Sequence, residues 1–310
     1  MIAHTAEPSF TFVIPAFNEE RHIAACLESV LAQRYSAFDV IVVDDGSTDG
    51  TPKTVEGFVS SERVLLLSHE QSSGAGAARN SGIQRASGEV VVFLDADDCI
   101  PTDFLERLIP IYREGADAVA VESCVADRDS VVGRFQQAVH VHDLANSDPN
   151  GIRYSGAFSC RRRAAASVKF PEIPGCGGED GAFVFALRDA GYTLRVTPEI
   201  LVELSLPTDI GGLWRQAAKR GQAAARVDRL LHEKSVPTTV IRRGGYACRA
   251  LVALVAIVPA VAAAVRLARS SSRGFRDVPG FWIAYHVLVS GRAFGGLREA
   301  LSYVRSSGPQ

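Results

Sequence analysis

The chain has 310 residues, of which 47% are hydrophobic and 22% are charged, and its formal net charge at pH 7 is -2. These values are ordinary for a globular protein and give no reason to expect a nucleic-acid partner. The length predicts one large domain or one domain with an appendage. The six cysteines have no paired spacing, which argues against a zinc site or a disulfide framework and favours buried thiols in a reducing compartment. Residues 1–8 predict a disordered N-terminus without the pattern of a signal peptide.

Strands and helices alternate along the first half of the sequence. Apolar runs predict strands at Phe10–Pro15, Phe38–Val43, Arg63–Leu67, Val90–Leu94 and Asp117–Val121. The segments between them have helical character, and Asn18 is the expected N-cap of the first helix. This alternation predicts right-handed crossovers and a Rossmann-like α/β fold with a mainly parallel sheet flanked by helices. The polar segment 127–153, which includes His140, His142 and Asp143, is expected to be a loop or an edge strand.

Carboxylates follow directly after two of these strands. Asp44 and Asp45 come at the end of the second strand, and Asp95 and Asp97 come after Val90–Leu94. Because the carboxyl ends of parallel strands share one edge of a sheet, these acids are expected to form one site. Two acids one residue apart can hold a hard cation, and that cation can carry a diphosphate. For an Asp-x-Asp pair alone, the alternative is a solvated acidic loop.

Five motifs occur in a fixed order between about Ser9 and Ser205. They are Val13-Ile-Pro-Ala-Phe-Asn18-Glu-Glu, Val42-Val-Asp-Asp45-Gly-Ser-Thr-Asp49, Ala77-Ala-Arg79-Asn80-Ser-Gly82, Phe93-Leu-Asp95-Ala-Asp97-Asp98 and Gly177-Gly-Glu179-Asp180. In this order and spacing they resemble the family 2 inverting glycosyltransferases, which have the nucleotide-sugar-binding GT-A fold. The resemblance implies that a sugar is transferred from a nucleoside diphosphate with inversion at the anomeric carbon, in a single in-line displacement.

The resemblance also implies the donor side of the site. Asp45, rather than Asp44, would accept hydrogen bonds from the base, and the guanidinium of Arg79 would face the diphosphate. Asp95 and Asp97 match the family's motif for Mg2+ or Mn2+. In that motif Asp97 would bind the ion directly, and Asp95 would contact either the ribose or, through a water molecule, the ion. The other implied donor contacts are Pro15, Ala16, Phe17, Asn18 and Ala96.

Three of these roles have a structural alternative. The Asp44–Asp45 pair can cap a helix that begins near Thr51. Arg79 can form a salt bridge on a helix surface, and Phe17 can belong to the core.

The acceptor side is implied by Glu179-Asp180. A carboxylate opposite the leaving group must take the proton of the acceptor hydroxyl. The resemblance gives that role to Asp180, with Glu179 positioning the acceptor. The alternative is that both acids only compensate the dipole at a helix N-terminus.

The sequence changes character after Pro207. We expect a catalytic domain over residues 9–210 and a C-terminal helical region over residues 211–310. Processive polysaccharide synthases that resemble this chain carry Gln-x-x-Arg-Trp in the region where this chain has Gln216-Ala-Ala-Lys219-Arg220. The missing Trp favours the addition of one sugar, and Lys219 or Arg220 is a further candidate for contact with the diphosphate.

Two apolar runs in the tail predict association with a membrane. Ala250–Val265 has 16 residues without a charge, which is short for a bilayer core of about 30 Å, and Pro259 interrupts it. Phe281–Val289 carries Trp and Tyr, which suit an interface. We expect two helices that dip into the cytoplasmic leaflet, with one or two true spans or a soluble helical cap as the alternatives. The triplet Arg161–Arg163 can meet phosphate or an anionic lipid, or it is simply solvated.

The sequence therefore predicts a cytoplasmic glycosyltransferase on the inner face of the cell membrane. Its donor would be a UDP- or GDP-type sugar and its acceptor a lipid-linked or cell-envelope glycan. Two other functions remain open. One is a non-catalytic family member that serves as a scaffold or binding subunit. The other is a sugar-phosphate nucleotidyltransferase, which would need a Gly-rich triphosphate loop where Pro15-Ala-Phe-Asn18 stands.

Overall fold

A computed structural model describes residues 7–59, 62–145, 157–172, 179–232 and 257–306. Its strands are β1 (Phe10–Ala16), β2 (Phe38–Asp44), β3 (Val64–Ser68), β4 (Val90–Leu94), β5 (Ala118–Val125), β6 (Ala157–Arg161) and β7 (Leu194–Leu204). They form one sheet in the order β3-β2-β1-β4-β6-β5-β7. The strands β3, β2, β1 and β4 run parallel to one another, and β6 is antiparallel to both β4 and β5. The predicted mainly parallel α/β sheet is confirmed.

The helices connect these strands and continue beyond them. They are α1 (Ile23–Leu31), α2 (Thr51–Val59), α3 (Ala75–Arg85), α4 (Phe104–Arg113), α5 (Val131–Ala145), α6 (Arg162–Val168), α7 (Glu179–Asp189), α8 (Ile210–His232), α9 (Ile257–Ala268) and α10 (Val278–Ser306). A short 3-10 helix occupies Gly274–Asp277, between α9 and α10.

The chain divides into two compact units. The first contains Met1–Cys124, Asp148–Gly175 and Glu179–Leu204, and therefore the whole sheet apart from the last residue of β5. The second contains Val125–Ser147, Cys176–Gly178 and Ser205–Gln310. Helix α5 belongs to the second unit although it precedes β6 in the chain.

The sheet of the first unit is covered on both faces. Alternate residues of β1 pack in opposite directions, with Phe12 against the face that carries α1 and α4 and Val13 against the face that carries α3 and α7. Every residue of β4 is 0% exposed, which explains why its sequence is apolar without alternation.

Two local predictions are wrong. Asn18 does not cap α1, which begins at Ile23; it adopts a left-handed φ of 57°, and its Oδ1 accepts a hydrogen bond of 2.8 Å from Thr48 N. The side chain of Asn18 thus ties the loop after β1 to the loop after β2. The segment expected to be a loop or edge strand contains α5 instead, because Val132, Phe135 and Ala138 lie on one helical face that is buried in the second unit.

At the N-terminus, residues 1–6 lie outside the described residues. The next two residues make defined contacts. Glu7 forms an ion pair of 2.8 Å with Arg113, and the carbonyl of Pro8 accepts a hydrogen bond of 3.0 Å from Tyr35.

The second unit buries an apolar core between α5, α8, α9 and α10. Part of the predicted membrane-binding run of α10 lies in this core, where Phe281 and Ala284 are 0% exposed. Most of the other run, Ala250–Val265, precedes α9 or has undescribed side chains, so its predicted behaviour falls largely outside the described residues. Among the described helices, none combines the length and the apolar character needed to cross a bilayer.

Small residues let two helices of this unit approach closely. A Cβ added at Gly291 of α10 would lie 2.8 Å from the Cβ of Ala217 on α8. One added at Gly295 would overlap the carbonyl oxygen of Ala218. Gly221 of α8 packs in the same way against the backbone of Arg292. These glycines are therefore required by the helix spacing.

Candidate active site

The acids predicted to share an edge of the sheet follow the two strands that flank β1. Asp44 is the last residue of β2, and Asp95 and Asp97 come directly after β4. Both strands are parallel to β1, so their carboxyl ends lie at the same edge. The backbone N–H of Asp45 donates a hydrogen bond of 2.8 Å to the carbonyl of Ala16, the last residue of β1.

The ends of β1 and β4 provide the other predicted donor residues. Ala16 and Ala96 are 2% and 3% exposed, so only their backbones can approach a ligand closely. Pro15 is half-buried, and Phe17 is 47% exposed and therefore lies outside the core.

Asp45 is held by the N-terminus of α3. Its carboxylate accepts hydrogen bonds from the backbone N–H groups of Ser73 (3.0 Å) and Gly74 (2.8 Å) and from Ser72 Oγ (2.7 Å). His69 Nδ1 lies 2.7 Å from Asp45 Oδ1, and its Nε2 lies 2.9 Å from Ser81 Oγ. Burial by itself raises the pKa of Asp45, but these hydrogen bonds outweigh it and leave the pKa below its usual range.

Neither acid of the Asp44–Asp45 pair caps α2. That helix is capped by Asp49, whose Oδ1 accepts a hydrogen bond of 3.0 Å from Thr51 N. Asp44 is buried, and its Oδ1 accepts a hydrogen bond of 3.3 Å from Ser47 N. A carboxylate offers about four acceptor positions. The four donors around Asp45 therefore occupy all of its hydrogen-bonding positions. Contact with a nucleotide base would have to replace one of them.

Arg79 joins an acid predicted for the donor side to an acid predicted for the acceptor side. It lies on α3 and is 3% exposed, so it is not on the helix surface. Its Nη2 donates to Asp95 Oδ1 at 2.7 Å, and its Nη1 donates to Glu179 Oε1 at 2.8 Å. The two acids are 84 residues apart in the sequence, and this guanidinium brings them to one place.

The neighbouring Asn80 holds the backbone at Phe170, which follows α6. Its side-chain amide donates to the carbonyl of Phe170 and accepts from the N–H of Phe170, both at 2.9 Å. The Phe170 ring stacks on Phe183 of α7 with a centroid separation of 3.9 Å, and the guanidinium carbon of Arg79 lies 5.3 Å from the Phe170 ring centroid. Arg79 and Asn80 therefore anchor Phe170, whose ring packs on α7.

Asp180 lies in the first turn of α7, beside Glu179. Desolvation by the surrounding protein and the charge of Glu179 raise the pKa of Asp180, and the positive charge of Arg79 acts in the opposite direction. The charge of Asp95 also contributes to this rise. Both acids lie where dipole compensation would put them, but Glu179 is in addition bonded to Arg79. The segment 175–178 before them lies outside the described residues.

Asp95 and Asp97, the acids after β4, place two carboxylates close together. Desolvation is the main reason that the pKa values of Asp95 and Asp97 are raised. Arg79 partly offsets this effect for Asp95, whereas the nearby Glu19 adds to it for Asp97. A divalent cation placed here would relieve the repulsion between these carboxylates.

The carboxylate oxygens of Asp95 and Asp97 are the kind of ligand that Mg2+ and Mn2+ prefer. Within the described ranges, no group of three or more His, Cys, Asp or Glu side chains is arranged to hold a metal by itself. Such a cage is not required for Mg2+, since one or two carboxylates, substrate phosphates and water complete its oxygen shell. Asp95 and Asp97 therefore fit a metal that arrives together with a diphosphate.

Sequence reasoning gave no role to three residues that the structure brings to the site. Glu19 and Asn80 are part of the motifs quoted above, so their position in those motifs was an available signal. His69 follows β3 and reaches Asp45, and nothing in its local sequence indicates this contact.

The remaining sequence candidates are the basic residues of α8 and the arginine triplet. Lys219 and Arg220 are exposed on α8 and belong to the second unit. Arg161 and Arg162 donate to backbone carbonyls of the first unit, and Arg163 forms an ion pair of 2.8 Å with Asp117. The three arginines therefore form hydrogen bonds and an ion pair within their own unit.

A family model described as Glycosyl transferase family 2 matches residues 11–168, about half of the chain, and one described as Glycosyl transferase family group 2 matches residues 90–291. The chain belongs to glycosyl transferase family 2. The resemblance seen in the motifs is thereby confirmed.

Curated relatives match this family 2 chain over parts of their length. The succinoglycan biosynthesis protein ExoO of Rhizobium meliloti is 40% identical over 124 residues, which cover 40% of this chain and 34% of that protein. A poly-beta-1,6-N-acetyl-D-glucosamine synthase of Staphylococcus epidermidis is 26% identical over 232 residues, which cover 72% of this chain and 56% of that protein. The chain thus spans from about a third to just over half of these relatives.

Solved structures match over nearly the whole chain. A mannosyltransferase of Pyrobaculum calidifontis, in complex with GDP-Man and Mn2+, has a TM-score of 0.57 and 20% identity and covers 99% of this chain and 77% of its own. Residues 1–349 of Staphylococcus aureus TarS in complex with UDP-GlcNAc have a TM-score of 0.53 and 18% identity and cover 97% of this chain and 93% of their own. At these identities the likeness establishes the fold, which is of the GT-A type.

Proposed function

We propose that the protein is an inverting glycosyltransferase that moves one sugar from a nucleoside diphosphate to a glycan acceptor. The observation that carries the proposal is the bridge from Asp95 through Arg79 to Glu179. It brings the acids that suit a donor diphosphate next to Asp180, the acid that suits an acceptor hydroxyl.

In the proposed reaction, Asp180 takes the proton of the acceptor hydroxyl. The acceptor oxygen forms a bond to the anomeric carbon while the bond from that carbon to the diphosphate breaks. The nucleoside diphosphate leaves with the electron pair, on the side opposite to the attack. A raised pKa makes Asp180 a stronger base than an ordinary carboxylate, which suits this role.

Mg2+ or Mn2+ would be held by Asp95 and Asp97, and when bound it would neutralise charge on the leaving diphosphate. Arg79 holds the donor-side and acceptor-side acids together. Its contact with the diphosphate remains a prediction, as does the contact of Asp45 with the base.

The donor and acceptor classes are drawn from the similar proteins. Solved structures with the same fold are described in complex with GDP-Man or UDP-GlcNAc, which supports a GDP- or UDP-type sugar. The names of the relatives refer to succinoglycan and to poly-beta-1,6-N-acetyl-D-glucosamine, which supports a glycan as the acceptor. We propose that this glycan is lipid-linked or part of the cell envelope. We also propose that the enzyme works on the cytoplasmic face of the cell membrane.

The nucleotide can be identified by thermal unfolding with UDP, GDP or dTDP, each in the presence of Mn2+. A ligand that binds the folded state raises the melting temperature, so one nucleotide should stand out. Hydrolysis of the matching sugar nucleotide without an acceptor then separates an enzyme from a non-catalytic family member. A stabilising nucleotide whose sugar is neither transferred nor hydrolysed would favour the scaffold function.

A further inference from the structure

A cluster of exposed arginines follows the apolar part of α9. Residues 257–276 contain four arginines and no acidic residue. All four, Arg266, Arg269, Arg273 and Arg276, are exposed to solvent. We call residues 266–276 the basic turn.

The first acid after the basic turn is already engaged. Asp277 is 4% exposed, and its two carboxylate oxygens accept hydrogen bonds of 2.8 and 2.9 Å from Arg134. Ser271 also donates a hydrogen bond to this carboxylate, and the charge of Arg273 helps to lower the pKa of Asp277. The exposed guanidinium groups of the basic turn nevertheless remain open to solvent. The C-terminal dipole of α9 accounts for a cation in the last turn of that helix, as at Arg266, but not for Arg273 and Arg276 beyond it.

An aromatic side chain lies among these charges. Phe275 is 65% exposed, the largest exposed fraction of any large hydrophobic side chain in the described part of the chain. It stands between Arg273 and Arg276 in the 3-10 helix. Removing this ring from water would be favourable, because burial of apolar surface lowers the free energy.

The outer face of α9 continues this surface. Ala264 and Leu267 point into the core of the second unit, whereas Val261 is 42% exposed and Ala262 is also exposed. Arg266 lies one helical turn after Ala262 and thus on the same outer face. Apolar and basic side chains therefore lie side by side on a surface that the core of this unit does not use.

We propose that the basic turn docks the protein on an anionic lipid surface. Guanidinium groups pair with lipid phosphates through two hydrogen bonds, and an aromatic ring between them can enter the headgroup region. A lipid surface is favoured over nucleic acid because the most exposed group is a hydrocarbon ring and the whole chain has a net charge of -2. This inference rests on the membrane location given in the proposed function. It identifies the basic turn, rather than the apolar face of α10, as the part of the protein that touches the membrane.

The test uses the full chain and sedimentation with vesicles. One set contains phosphatidylcholine alone, and the other contains phosphatidylcholine with phosphatidylglycerol at a ratio of about 7:3. We expect binding to the anionic vesicles only, with weakening at high salt because the contact is electrostatic. Each arginine near an anionic surface contributes about a fivefold change in affinity, so Arg273→Gln combined with Arg276→Gln should weaken binding by about 30-fold. Phe275→Ser should also weaken it.

Matched controls remove the same groups from other exposed positions. Arg21→Gln combined with Arg85→Gln removes two exposed charges from the first unit, and Phe185→Ser removes a ring that is 59% exposed. These variants should bind anionic vesicles as the unchanged protein does. Equal binding by the basic-turn variants, binding to neutral vesicles, or displacement of the vesicles by RNA would overturn the proposal. Nucleotide-induced thermal shifts, measured on the same samples without lipid, report separately whether the donor site of the proposed function exists.

Discussion

Arg79 Nη2 lies 2.7 Å from Asp95 Oδ1, and this ion pair ties α3 to the acidic edge of the sheet. The other terminal nitrogen of the same guanidinium reaches Glu179 at the start of α7. A planar fork can hold two carboxylates at fixed positions, whereas an ammonium group is a single point of charge. The position of Asp180 relative to the donor-side acids therefore depends on Arg79.

Replacing Arg79 should destabilise the first unit. Removing one member of a buried ion pair costs about 3–5 kcal/mol, and we expect the lower end for Arg79→Met because the side chain of Asp95 is 38% exposed. Arg85→Met, at the exposed end of the same helix, should change stability by about 0.5 kcal/mol or less. Denaturant unfolding measures both. Arg79→Lys should retain more stability than Arg79→Met but lose transfer activity, and equal stability of Arg79→Met and Arg85→Met would contradict the bridge.

Asp45 should contribute stability that depends on pH. Its pKa is lowered in the folded state, so its contribution is present above the pKa of about 3.9 of an unfolded Asp and is lost as the pH falls through the lowered value. We expect Asp45→Asn to reduce the free energy of unfolding by about 1–2 kcal/mol at pH 7, with the difference from the unchanged protein shrinking below about pH 4. Denaturant melts across this range measure it. Asp189→Asn, at an exposed position, serves as the control, and a difference that does not vary with pH would refute the hydrogen-bonded state of Asp45.

Metal should act through Asp97. Desolvation and the charge of Glu19 disfavour the ionised form of Asp97 in the metal-free protein. Asp97→Asn should therefore leave the metal-free protein folded and at least as stable, while it abolishes the rise in melting temperature produced by Mn2+ with the correct nucleotide. EDTA should stop transfer by the unchanged protein, and added Mn2+ should restore it. A Mn2+-dependent thermal shift that survives in Asp97→Asn would remove this residue from the site.

The packing of α8 on α10 makes a prediction for the second unit. Gly295→Ala places a methyl group against the backbone of Ala218, and such overpacking typically costs about 1–3 kcal/mol. Gly57→Ala offers the opposite case, since a Cβ there meets nothing within 4 Å and the position is exposed in α2. That change should stabilise the protein by about 0.5–1 kcal/mol. If Gly295→Ala does not lower the melting temperature, the close approach of the two helices is wrong.

The sequence alone was sufficient where local pattern and burial agree. The run Val90–Leu94 predicted a strand with the bounds that the structure has, because a strand covered on both faces is apolar at every position. Asp95 and Asp97 followed from that strand, since the residues after a parallel strand lie at the ligand-binding edge.

Contacts between segments that are far apart in the sequence could not be predicted in this way. Arg79 and Glu179 are 100 residues apart, and nothing near Arg79 in the sequence indicates that it is buried between two acids. Helix α5 was missed because the stability of its apolar face comes from α9 and α10, which occur more than 100 residues later. Asn18 was assigned to the wrong cap because its partners belong to the loop after β2.

The most direct test of the proposed mechanism is the pH profile of sugar transfer by the unchanged protein and by Asp180→Asn, with Asp189→Asn on the same helix as the control. Because the pKa of Asp180 is raised, transfer should increase with pH as this carboxyl ionises. Asp180→Asn should lose about 10²–10⁴-fold in rate, the usual contribution of a general base, and should lose that pH dependence while nucleotide binding remains. Transfer by Asp180→Asn at the rate and with the pH profile of the unchanged protein would contradict the mechanism.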